Sequence, residues 1–256
     1  VGFRHTRNRK KYLLRLYLAN VGMVFFNQIM CMLQRKLDYV AYQPKNHNIF
    51  TTLFCAGVLI CIWENRKEKK KFLTYIGIYI FWQAMLIKLA ILVETYDYLW
   101  YGNARLETVL RTDYIFPLLG GIWDVEGGVF FIALGVCLYC AVEDRWKLTL
   151  YYILFCGTYL LMCEGDILYR IMNRFSFWGY HKLADIIYVG SWSTGIPLGT
   201  SDLSLLTEFY QWMMIGALPI MLACNGKRGK SLKWLFYAAY PLQFLVLYGI
   251  SYYKIL

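Results

Sequence analysis

Charge is scarce in this chain of 256 residues: Asp, Glu, Lys and Arg make up 17% of it, and only 16 positions are acidic. A soluble domain of this length needs a polar coat that such a composition does not supply. Histidine occurs three times, so few side chains are available that exchange protons near neutral pH. Cys137 and Cys140 have CxxC spacing, but no second pair stands near them, which removes the basis for a four-thiolate metal site, and no metal is expected. An internal repeat of the kind that marks many transporters is also lacking.

What the chain does have is apolar and aromatic. Hydrophobic residues reach 59% and aromatics 19%, with a mean hydropathy of +0.41. The formal net charge is +11, and its placement decides between nucleic-acid binding and membrane topology. The cations fall mostly in short connectors between apolar runs, where the positive-inside bias and anionic lipids favour them, so the expected partner is a lipid bilayer and not nucleic acid. Six of the eight cysteines (Cys55, Cys61, Cys137, Cys140, Cys156 and Cys224) lie inside apolar runs, as buried reduced thiols do.

The runs predict an all-α, polytopic helical bundle with seven spans, at residues 12–32, 49–63, 72–93, 127–142, 148–163, 209–224 and 234–253. Residues 49–63 are short for about 30 Å of hydrocarbon, so this helix should begin a turn earlier or be inset in the bundle. Residues 114–123 are apolar but too short, contain Pro117 and Gly120-Gly121, and lead to Asp124 and Glu126, a pattern read as a re-entrant or interfacial turn. Residues 164–208 are too long for an idle connector and are expected to form an external cap that starts with an interfacial helix over 167–175. The segments at 1–11, 64–71, 144–147 and 225–233 hold sixteen Lys and Arg and are assigned to the cytosol, whereas the longer external segments hold nine. The whole of 1–256 reads as one transmembrane domain.

Two motifs carry a family resemblance. Gly2-Phe3-Arg4-His5-Thr6-Arg7-Asn8-Arg9-Lys10-Lys11-Tyr12, with Arg15 and Leu16, resembles a cytoplasmic loop of the TraX family, integral-membrane acetylases named for pilin acetylation in conjugal transfer and also described as fimbrial-assembly proteins. Near the other end, Leu218-Pro219, then Asn225-Gly226-Lys227-Arg228-Gly229, then Lys233-Trp234-Leu235-Phe236-Tyr237-Ala238-Ala239-Tyr240-Pro241-Leu242-Gln243 resembles a second pattern of that family, in which a His stands where this chain has Gln243. Asn48, Phe50, Thr52 and Leu53 also resemble the start of a family helix. The resemblance implies a bacterial cytoplasmic-membrane acetyltransferase with acetyl-CoA as acyl donor and the N-terminal amine of a pilin-like peptide as acceptor. It also implies that a piece with a first helix ending in an Asp-His pair precedes Val1.

Acetyl-CoA carries phosphates, and cations beside flexible glycine backbone suit them. The candidate donor-binding residues are Arg7, Arg9, Lys10, Asn225, Gly226, Lys227, Arg228, Gly229 and Lys233. His5 is the candidate general base, with Gln243 as a hydrogen-bonding catalytic candidate that cannot exchange a proton near neutral pH. Three other readings stay open: O-acetylation of a cell-surface glycan, a secondary transporter whose path is lined by groups such as Gln83, Asp124 and Glu126, and a non-catalytic membrane scaffold.

Overall fold

The structure, a computed structural model, describes residues 3, 6, 8–37, 48–101, 116–122, 125–164, 174, 210–223 and 233–253. The described residues are 91% helical and contain no strand. They divide into two compact units, Thr6–Glu126 with Arg228–Leu256, and Gly127–Lys227 with Val1–His5.

In the first unit, helix α1 (Arg9–Leu37) starts where Asn8 caps it: the Asn8 Oδ1 accepts the Lys11 N–H at 3.0 Å. Leu16, Asn20, Met23 and Met30 recur at helical spacing and are buried, while Leu14, Leu18, Phe25 and Ile29 on other faces are exposed. A helix apolar on all sides is one that lipid can surround. Helix α2 (Ile49–Glu64) begins directly after Asn48, with no earlier turn, and is the more enclosed of the pair. Asn65 ends it by donating from Nδ2 to the Cys61 carbonyl at 2.8 Å, and a short 3-10 turn, Asn65–Lys67, passes the chain to α3 (Lys69–Tyr101). An Arg9–Glu64 ion pair joins the start of α1 to the end of α2.

Helix α4 (Phe116–Leu119) is one turn long. Gly120 stops it in the left-handed region, φ 70°, where a Cβ would lie 3.0 Å from the Phe54 ring. The second unit is built on the hairpin of α5 (Gly128–Ala141) and α6 (Arg145–Glu164), turned at Asp144, whose carboxylate accepts the N–H groups of Trp146 and Lys147. Leu134, Tyr152 and Cys156 form its core against Met214, Leu218 and Met221, which lie on a 3-10 stretch (Tyr210–Ala217) and on α7 (Leu218–Ala223). Helix α8 (Lys233–Tyr253) returns to the first unit and packs Tyr237 and Tyr240 on the Leu16, Met23 and Phe50 cluster.

Among the described residues, four helices are long and apolar enough to cross a membrane: Arg9–Gln34, Ile49–Lys67, Lys69–Leu92 and Trp234–Tyr253. All four belong to the first unit. Seven were expected; among the described residues, Gly128–Ala141 and Met213–Ala223 are apolar but shorter. Of the cap expected over 164–208, Glu164 ends α6 and Arg174 is helical, and the rest lies outside the described residues.

Candidate functional site

Polar side chains buried in an apolar bundle need partners, and here they converge on α4 and the irregular segment that follows it. Asn20, midway along α1, donates from Nδ2 to the Pro117 carbonyl, and its Oδ1 accepts from Asn48 Nδ2 and from the Thr51 hydroxyl, both at 2.7 Å. Tyr17 donates to the Leu118 carbonyl at 3.0 Å and Trp82 to that of Leu119 at 2.9 Å. Gln83 donates to the Gly120 carbonyl and accepts the Ile122 N–H, each at 3.1 Å. The Cys55 thiol points at the Gly120 and Gly121 carbonyls, and Thr52 donates to the Glu126 carbonyl at 2.7 Å. Side chains of α1, α2 and α3 therefore satisfy backbone groups that lipid could not.

The segment delivers Glu126 to the start of α2. Its carboxylate accepts a short hydrogen bond from the Tyr240 hydroxyl and further ones from the backbone N–H groups of Asn48 and Ile49. The Ile49 N–H also points at the Tyr240 oxygen, at 3.3 Å. These donors and the positive end of the α2 dipole favour the ionised carboxyl, and its removal from water opposes them. A carboxyl held between such opposing effects is a candidate for proton transfer. The Asn48 Oδ1 is buried and has no hydrogen-bond partner among the described residues, so an acceptor stands beside the acid.

Sequence reasoning noted Glu126 and Gln83 as groups that could line a path, and missed Asn20 and the Glu126–Tyr240 pair. An Asn in the middle of an apolar span was the available signal for the first. The second had no local signal.

Among the residues assigned a role from sequence, Arg9 is engaged by Glu64 and Lys10 is exposed. Gln243 is exposed on α8, whereas Tyr237, Tyr240, Phe244 and Tyr248 turn toward the packed face. Lys233 is the first residue of α8. His5, Arg7, Asn225, Gly226, Lys227, Arg228 and Gly229 lie outside the described residues. Cys137 and Cys140 are exposed free thiols on α5, and no group of three or more His, Cys, Asp or Glu side chains assembles among the described residues. Comparison of the chain with protein-family models, with curated proteins and with solved structures gives no match in any of the three.

Proposed function

We propose that this chain is a membrane-embedded acetyltransferase of the TraX type, seated in a bacterial cytoplasmic membrane, with Glu126 as its general base. Two of the resembling segments meet at Glu126, a half-buried acid: the Asn48 N–H and the Tyr240 hydroxyl reach its carboxyl, Thr52 donates to its backbone carbonyl, and Phe50 packs on the Tyr240 ring. That convergence of positions nearly 200 residues apart is the observation that carries the reading. In the full topology α5, α6 and the 210–223 stretch add three crossings to the four long helices, and the segment from α4 to Glu126 is re-entrant.

Acetyl-CoA comes from the cytosol, and the residues proposed for its phosphates are those of the two resembling motifs, Arg7 and Lys10 in the first and Asn225, Gly226, Lys227, Arg228 and Gly229 in the second, while Arg9 is paired with Glu64 and Lys233 starts α8. Gln243 lies exposed on α8. The acceptor is the terminal amine of a pilin-like peptide or a hydroxyl of a surface glycan. Its nucleophilic atom attacks the thioester carbonyl and gives its proton to the Glu126 carboxylate, which Tyr240 orients. The tetrahedral intermediate then collapses, the C–S bond breaks, and the CoA thiolate takes that proton, restoring the carboxylate.

The test is transfer of label from acetyl-CoA by the purified full chain in proteoliposomes, with host surface peptides and glycans analysed by mass spectrometry. Glu126→Gln should lower transfer roughly 10² to 10⁴-fold while CoA still binds. Arg228→Ala should weaken CoA binding instead. Transfer at the normal rate by Glu126→Gln overturns the assignment.

One observation favours a second reading, a proton-coupled transporter. Asn20, at the level of the site, lies eleven residues into α1, about 16 Å from Arg9 at helical rise, and so well inside the hydrocarbon. Solute uptake driven by a pH gradient without CoA would select it.

A further inference from the structure

The strongest charged feature outside the Glu126 site is the end of the bundle where α1 starts, α2 stops and α3 starts. Two acids stand there and both are engaged, Glu64 by Arg9 and Glu68 by Lys71 at 2.7 Å. Lys10, Lys11, Arg66, Lys67, Lys69 and Lys70 are exposed, and no acid among the described residues pairs with them. Three candidate spans end at this level, Arg9–Gln34, Ile49–Lys67 and Lys69–Leu92, so the cations sit at the hydrocarbon boundary, where lipid phosphates lie. Trp63 marks the same level: it is exposed, Arg66 lies 5.2 Å from its ring, and Phe72 packs edge-on at 6.4 Å.

We propose that this end of the α1–α2–α3 bundle is a docking surface for anionic phospholipids. The occupant is an amphiphile because the surface has two parts. Leu14 follows Lys10 and Lys11 by one helical turn, Leu73 follows Lys69 and Lys70 by one turn, and both leucines are exposed. A phosphate over the lysines therefore places its acyl chains along exposed apolar side chains. A soluble phosphate would match only the first part. The inference does not depend on acyl transfer.

Spin-labelled lipids measure it directly on the purified full chain in phosphatidylcholine membranes, as the association of phosphatidylglycerol relative to phosphatidylcholine. The expected preference for phosphatidylglycerol is several-fold, falling toward one in high salt as surface attraction is screened. The triple variant Lys67→Gln, Lys69→Gln, Lys70→Gln should lose most of the preference, and the same three positions changed to Arg should keep it. Equal association of the two lipids in the unaltered protein overturns the proposal, as does a preference that survives the Gln variant. Loss of the preference on adding millimolar inorganic phosphate at constant ionic strength would assign the surface to a soluble phosphate and overturn it as well.

Discussion

Glu126 serves as base, on the proposed reading, only while it is ionised, so acetyl transfer should rise with pH as this carboxyl loses its proton and should lose that rise in Glu126→Gln. Tyr240→Phe keeps the ring that packs on Phe50 at 5.4 Å and removes the hydroxyl donor. With one fewer bond to the ionised form, the midpoint of the activity profile should move to higher pH; an unmoved profile would mean that the phenol only packs. The acid itself was legible in the sequence as charge near membrane depth, but its partner, 114 positions away on another helix, was not, because nothing local distinguishes a Tyr that meets a carboxylate from the other aromatics of this chain.

The element that most departs from regular structure is the segment from α4 to Glu126, held by borrowed hydrogen bonds. Pro117 and the glycine pair at 120–121 announced an irregular backbone, and the requirement that such backbone be covered at membrane depth followed from physics alone. What covers it was not readable, since Asn20, Tyr17 and Gln83 lie 97, 101 and 37 positions away from the carbonyls they satisfy. Asn20→Leu keeps the side-chain size and strands the Pro117 carbonyl, the Thr51 hydroxyl and the Asn48 amide together. Each buried group left without its partner costs about 1 to 3 kcal/mol, so a loss of at least 2 kcal/mol or so is expected. A cysteine placed at buried Val125, in a background without native thiols, should then be labelled markedly faster. Unchanged labelling would mean that the segment is held by its apolar contacts, such as Phe116 on Leu86 and Ala90, and not by the amide network.

At the scale of the molecule, the long spans were legible because the thickness of hydrocarbon fixes their length: runs near 20 residues at 12–32, 72–93 and 234–253 became α1, α3 and α8. The shorter runs at 49–63 and 127–142 also became helices, α2 and α5, but what surrounds the first turn of α2, here Asn20 and Glu126, is not revealed by length. Charge supplies the remaining coordinate, the direction of each crossing. The Arg9–Glu64 pair places the start of α1 and the end of α2 at one end of their hairpin, the end that the proposed topology, following the positive-inside bias, assigns to the cytosol. On the proposed topology, three further crossings between α3 and α8 and an external 164–208 segment would return the 225–233 segment to the same side. In intact cells, with native thiols removed, a membrane-impermeant maleimide should therefore modify Ser193→Cys and leave Ser231→Cys unlabelled until the membrane is opened. Labelling of both from outside would take the 225–233 cations off the cytosolic face, and with them the donor-binding role assigned to Lys227 and Arg228. The reverse pattern would invert the whole topology and place the polybasic end of α1, α2 and α3 outside.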